Sequence, residues 1–265
     1  MPSRETIVVD AATAGADYSL EHFRTTLAVE EKSRKTDLVT DVDRMTQRHI
    51  VSVIEGEFPD DEIVGEEGNE RKTVPEEGYA WIIDPIDGTQ NFVHRIPQWV
   101  TSVAVVHDSE PISCVNVAPA LDDRYRSTAA GTARDGQAVS VSERTDPETF
   151  LVAPTLPWRT SDSAVVGSLS RTLIERFGEV RRTGSAQLSL SMVACGALDA
   201  TVAFDPSPNP WDTVAGAHHV TQAGGVATDL DGNSWGPGSE GILASNGTDH
   251  DAVVDAVRAA LTETS

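Results

Sequence analysis

Apolar residues recur at two different periods along this chain, and each change of period marks out an element. From residue 5 to 31 the positions Ile7, Val8, Ala11, Ala12, Ala14, Tyr18, Phe23 and Leu27 are separated by acids and arginines, which predicts a helical N-terminal region. Met45, Ile50, Val53 and Ile54 predict a second helix over 41–57, stopped by Pro59. Short apolar runs predict strands at 62–65 and 79–83, with a polar loop between them. Residues 100–107 and 111–118 read as paired strands joined by the acidic turn Asp108-Ser109-Glu110. Asp135-Gly136 reads as a hairpin tip between strands at 125–129 and 138–141. Beyond about Glu148 strands alternate with helices: strand 151–153, helices 169–177 and 186–196, strand 200–204, helix 212–223, strands 225–230 and 241–244, and a closing helix over 250–261. The alternation predicts an α/β C-terminal half, 148–265, packed against an α+β N-terminal half, 1–147.

A chain of 265 residues can bury a substantial core. No stretch approaches the roughly 20 apolar residues that span a bilayer. The N-terminus lacks the basic start and apolar run of a secretory signal, so a cytoplasmic protein with no membrane partner is expected. Cys114 and Cys195 both lie in apolar surroundings and read as buried thiols rather than a disulfide. The formal net charge is -22, with 42 acids against 20 basic residues. A phosphate backbone would be repelled by that surface, so no nucleic-acid partner is expected and a two-metal nuclease is disfavoured. The acids are dispersed rather than massed in a tail, and the lysines number three (Lys32, Lys35, Lys72), a balance that resembles proteins of salt-loving organisms.

The candidate chemistry begins at Trp81-Ile82-Ile83-Asp84-Pro85-Ile86-Asp87-Gly88-Thr89, where an apolar strand runs into two carboxylates within one turn. Pro85 fixes its own φ and disfavours helix at Asp84, which predicts that the strand ends there and aims Asp84 forward. Asp87 and the Ile86 carbonyl share the same space, and hard cations such as Mg²⁺ take carboxylate and carbonyl oxygens together. Thr89 opens a helix whose first N–H groups offer a seat for an anion, most simply phosphate, with Gly88 permitting close approach. Upstream, Ile63-Val64-Gly65-Glu66-Glu67 is a second apolar strand running into acids, and downstream Asn209-Pro210-Trp211-Asp212 opens a helix. Adjacent His218 and His219 are expected to point to different sides of their helix. His94, just past the turn, is either a phosphate neighbour or a surface residue.

These acidic sites, with the region around Asp43, resemble in order and spacing the inositol monophosphatase family of the lithium-sensitive sugar-phosphatase superfamily, over nearly the whole chain. The strongest element of the resemblance is Asp84-Pro85-Ile86-Asp87-Gly88-Thr89 paired with Trp211-Asp212. It implies a layered α-β-α-β-α sandwich and a phosphoric monoester hydrolase dependent on two, or three, Mg²⁺ ions. Glu66, Asp84 and the Ile86 carbonyl would bind a first metal and Asp84, Asp87 and Asp212 a second. Glu66 and Thr89 would activate the attacking water, with Asp43 supporting Thr89 or serving only as a helix N-terminal acid. Gly88 and Thr89 would hold phosphate. Gly184, Ser185, Ala186, Asp205, Asp87 and Asp212 would contact the substrate. Glu67, the neighbour of the ligand, would tune charge or face solvent. Two departures bear on substrate: Gln187 stands where a small residue is usual, and Pro206-Ser207-Pro208-Asn209-Pro210 replaces the familiar approach to Trp-Asp with a stiff wall. The implied substrate is an inositol monophosphate or related small sugar phosphate. Fructose 1,6-bisphosphate, alone or as a second substrate, is the alternative, and a nucleotide 3′-phosphate is a weaker one. A phosphate-binding regulatory protein is the non-enzymatic alternative. A homodimer and inhibition by lithium are likewise implied.

The acid-rich composition carries its own test. Salt screens like-charge repulsion, so the melting temperature is expected to rise between dilute buffer and molar salt. An unchanged value removes the salt-adapted reading.

Overall fold

The computed structural model describes residues 2–26, 29–31, 38–155, 163–204 and 208–263, with 29–31 and 38–40 followed by backbone alone. Helix α1 (Arg4–His22) is capped by the Ser3 hydroxyl, which accepts from the Thr6 N–H. It is shorter than its apolar spacing predicts. Phe23 turns extended and Arg24 takes a positive φ, so the Phe23 ring leaves the helix to pack 5.5 Å from both Phe92 and Trp99. Strands β1 (Val29–Glu31) and β2 (Leu38–Thr40) then pair antiparallel, and α2 spans Asp41–Glu57 as expected. The guanidinium of Arg4 fixes the start of α1 to the sheet below. It forks onto Asp61 at 2.8 and 2.7 Å between the rings of Phe58 and Tyr79.

A seven-stranded sheet follows, with strands β3 (Glu62–Gly65), β4 (Tyr79–Asp87), β5 (Val100–His107), β6 (Glu110–Ala118), β7 (Asp123–Thr128), β8 (Gly131–Arg134) and β9 (Gln137–Val139) in that spatial order. The short helix α3 (Thr89–Val93) lies between β4 and β5. β3 and β4 are parallel and the rest antiparallel. The hairpin expected between 125–129 and 138–141 contains an extra strand: the chain reverses at Ala129-Ala130 into β8, and Asp135-Gly136 joins β8 to β9. β4 reads as one continuous apolar run because both its faces are buried. Trp81 and Ile83 meet α1 and α2, whereas Ala80 and Ile82 meet helix α6 (Pro210–Gln222).

The second sheet orders its five strands β11 (Glu179–Val180), β10 (Leu151–Thr155), β12 (Ala200–Ala203), β14 (Ile242–Ser245) and β13 (Val226–Thr228). Helices α4 (Ser163–Arg176) and α7 (His250–Thr262) cover its outer face through Leu169, Leu173, Val253 and Val257. Helix α5 (Ala186–Ala194) and α6 cover its inner face. The layers therefore run α1/α2, first sheet, α5/α6, second sheet, α4/α7, an α-β-α-β-α sandwich. Cys114 and Cys195 are both free thiols, the first buried and the second half-buried. Among the described residues no helix is long and apolar enough to cross a membrane.

Helices α5 and α6 are stitched by the buried side chain of Gln187. Its amide donates to the Trp211 carbonyl at 2.6 Å and accepts from the Gly216 N–H at 2.7 Å, while Asn116 on β6 donates to its oxygen at 3.0 Å. That approach requires Gly216: a Cβ there would stand 2.4 Å from the Leu190 Cβ and 2.9 Å from the Gln187 amide oxygen. Gly216→Ala is therefore expected to force the helices apart at a cost of about 1–3 kcal/mol. Urea unfolding measures this, and a loss below about 0.5 kcal/mol contradicts the packing described.

Candidate metal centre

Successive side chains of a strand face opposite sides, so residues three apart should diverge. Asp84 and Asp87 converge because β4 bulges. Asp84 pairs with Ser102 and Asp87 with Val100, so three steps along β4 answer two along β5. The strand does not end at Asp84 as Pro85 suggests. It continues to Asp87 with Pro85 inside the irregularity, where the Pro85 carbonyl accepts from Thr101 at 2.9 Å. Gly88 then takes φ +96, and a Cβ on it would stand 3.1 Å from the Gln98 carbonyl, so the turn has room for glycine alone.

Asp212 enters from the first turn of α6, where its carboxylate accepts from the Asn209 backbone N–H at 2.8 Å and from the Asn209 amide at 3.2 Å. Carboxylate oxygens of Asp84, Asp87 and Asp212 all lie within 4.8 Å of one another. Glu66, half-buried at the end of β3, is hydrogen-bonded to Asp84 and acts electrostatically on all three. Glu67, expected to tune charge or face solvent, is buried. Asp43 is fully buried in the first turn of α2 rather than a solvated cap, and accepts from the Thr89 hydroxyl at 3.3 Å. The same hydroxyl is 3.1 Å from the Ile86 carbonyl.

Burial is the first cause of the unusual acidities here. It holds Asp84 well above the usual carboxylate range, with Glu66, Asp87 and Asp212 adding to the rise. Asp212 is pushed up to about 7 by burial and by the neighbouring Asp87 and Glu66. Asp87 rises only to about 6, because the Ser185 hydroxyl and the N–H groups of Gln187 and Ala186 oppose its burial. The Gln187 N–H lies 2.7 Å from Asp87. Oxygen donors this close, with pKa values raised by burial and by one another, are the donor set that a hard divalent cation takes.

The other expected site residues fall as follows. Ser185 and Ala186 are buried against Asp87 at the start of α5, and Gly184 sits under the Asn91 amide, which donates to the Thr183 carbonyl at 2.8 Å. Asp205 lies outside the described residues. A cavity of about 380 Å³ opens beside Asn209, edged by Lys72, Thr73, Ser109 and the stiff Pro208, Pro210 and Pro237. His94 is exposed. His218 and His219 do not diverge: both Nδ1 atoms reach the Ser127 hydroxyl, at 2.6 and 2.7 Å, because an imidazole is long enough to swing into the groove between helix and strand. Burial pushes these rings down to about 4 and about 3, so both are neutral near pH 7. Three residues that shape the centre had no sequence signal of their own: Gln47, Lys72 and Asn91 act on backbone atoms of other elements, as does Gln187, which stood out only as a departure from the family pattern.

Comparison with known proteins agrees with this geometry. The profile of the inositol monophosphatase family matches residues 3–262. A Thermotoga maritima protein named fructose-1,6-bisphosphatase/inositol-1-monophosphatase is 37% identical over 89% of this chain and 88% of its own. A Xylella fastidiosa protein named Nus factor SuhB is 33% identical over 91% and 89%. Among solved structures, a Thermotoga maritima IMPase superposes with a TM-score of 0.90 at 32% identity, covering 99% of both chains. Fold and acidic site together define a metal-dependent phosphatase class. The chain belongs to the inositol monophosphatase family.

Cation binding should follow the acidities. Binding requires the carboxylates to be charged, so with Asp87 at about 6 and Asp212 at about 7 a proton must be displaced as pH falls through that range. Adding Mg²⁺ to metal-free protein is expected to raise the melting temperature at pH 8, and to lose this effect by pH 5. Matched NaCl controls for ionic strength. An equal shift at both values contradicts cation binding at these acids.

Proposed function

We propose that the chain is a Mg²⁺-dependent phosphomonoesterase that hydrolyses inositol monophosphate or a related small sugar phosphate. The observation carrying this reading is the trio of carboxylates within 4.8 Å, their pKa values raised by burial and by one another. Asp84, Asp87 and Asp212, with Glu66 and the Ile86 carbonyl, would hold two Mg²⁺ ions, and a third near Glu66 is compatible with the donors. When bound, such ions neutralise phosphoryl oxygens and lower the pKa of an attacking water.

The chain's own residues supply orientation and proton handling. Thr89 has one hydroxyl proton and two acceptors in reach, Asp43 and the Ile86 carbonyl. Donating to either leaves its lone pairs free to accept from a water on the phosphate side. Glu66, beside Asp84, takes the proton from that water as base, and Thr89 holds the water in line. Gly88 and the first N–H groups of α3 face the phosphate. Asp212, at the start of α6, would lie on the side from which the sugar departs.

Phosphate release from inositol 1-phosphate, fructose 1,6-bisphosphate and a nucleotide 3′-phosphate, compared by kcat/KM, distinguishes the substrates. Fructose 1,6-bisphosphate is included because the Thermotoga relative bears both names. Asp87→Asn is expected to lower Mg²⁺-dependent turnover by about 100-fold or more with the fold intact, beyond what outer supporting contacts are worth. Full activity in that variant removes the site assignment. The Nus factor name of the Xylella relative supports a second reading, a regulator that binds a macromolecular partner. A wild-type protein that binds Mg²⁺ and releases phosphate from none of the three esters would favour it.

A further inference from the structure

Of the four acids offered as metal ligands, Glu66 alone lies on neither β4 nor α6, in the segment Gly65-Glu66-Glu67 where β3 runs out. Neither proline nor regular structure stiffens Glu66 and Glu67, yet all six backbone polar groups of the segment are engaged. The Gly65 N–H donates to the Arg71 carbonyl at 3.2 Å and the Glu66 N–H to the Ile83 carbonyl at 3.3 Å. Gln47, buried on α2, closes a two-point clamp on Glu67, accepting from its N–H and donating to its carbonyl, each at 2.8 Å. The remaining carbonyls, of Gly65 and Glu66, both accept from the Lys72 ammonium, at 2.6 and 3.0 Å. That ammonium also stands 5.4 Å from the centre of the Trp211 ring, and Trp211 immediately precedes Asp212.

Two carbonyl oxygens turned toward one point repel each other, and a cationic side chain with more than one N–H donor reconciles them. Its attraction to an indole face adds a link to the neighbouring element. Glu66 and Asp212, on the two elements so linked, repel each other, so without the link the two acids are free to move apart. We infer that Lys72 is a positioning residue of the metal centre, its ammonium gripping the Glu66 backbone and, through the Trp211 ring, holding the end of β3 against the start of α6 so that Glu66 and Asp212 are presented together to a divalent cation. The inference rests on the phosphatase reading and adds to it a residue outside the proposed metal ligands. Partners of this outer kind orient the ligands and so set metal affinity.

The test is Mn²⁺ binding to the metal-free protein without substrate, followed by the electron paramagnetic resonance of free Mn²⁺, in wild type, Lys72→Met and Lys72→Arg. Met keeps an apolar stem against Trp211 and removes the charge. Lys72→Met is expected to weaken Mn²⁺ binding about tenfold and to raise the Mg²⁺ concentration for half-maximal phosphate release by about the same factor, with kcat at saturating Mg²⁺ within about threefold of wild type. Lys72→Arg, which restores a cation, is expected to return the affinity to within about threefold. A Lys72→Met protein that melts earlier but binds Mn²⁺ within about twofold of wild type shows a merely structural lysine and overturns the inference. An arginine variant as weak as the methionine one overturns it too. Should Lys72→Met fail to fold, Lys72→Gln serves the same comparison. Failure of wild type itself to bind Mn²⁺ overturns the phosphatase reading, whereas equal binding by wild type and Lys72→Met overturns the inference alone.

Discussion

Mutual repulsion among enclosed carboxylates is the constraint around which this fold is arranged. Each acid of the trio is tethered by a backbone N–H rather than by a cationic side chain: Asp84 by Ile86, Asp87 by Gln187 and Asp212 by Asn209. Among the described residues no arginine or lysine forms an ion pair with any of the three. Neutral donors orient the oxygens without cancelling their charge. A salt-bridged acid would hold its counter-ion already and would offer a metal little, whereas these retain the full incentive to bind one.

The tethers explain why both halves of the chain are needed at one point. The bulge that turns Asp84 and Asp87 to one side belongs to the first sheet, and the groups that bond Asp87 open α5 in the layer between the sheets. Asp212 opens α6 in that same layer, and Gln187 ties the two helices and β6 together. Packing error anywhere in the middle layer is thereby converted into displacement of an acid. The effect of Gln187 is confined to the rear of the centre, because its side chain turns away from Asp87 toward Gly216 and Trp211.

Much of this was legible in the sequence, for identifiable reasons. Helix α2 and strands β3 and β5 carry clean apolar periods ended by breakers such as Pro59, and their observed limits coincide with those the pattern predicts. The errors are local contests between rules. Pro85 argues for a strand end, but a bulge accommodates proline by releasing the ladder there. The strand β8, Gly131-Thr132-Ala133-Arg134, has too little apolar content to announce itself. Apolar spacing carries on past His22, but Phe23 is drawn off by Phe92 and Trp99. At the centre, carboxylates after apolar strands are conspicuous. The supporting amides are not: Gln47, Asn91 and Gln187 bond backbone atoms that composition and spacing say nothing about.

The far end of α6 shows how finely its seat is specified. Ser127 owns a single hydroxyl proton, and two imidazole Nδ1 atoms contact its oxygen. At most one of those nitrogens can therefore accept, and at least one ring must carry its hydrogen on Nδ1 and donate. The serine selects a tautomer, and with it the direction in which hydrogen bonds run from the helix bearing Asp212 into strand β7.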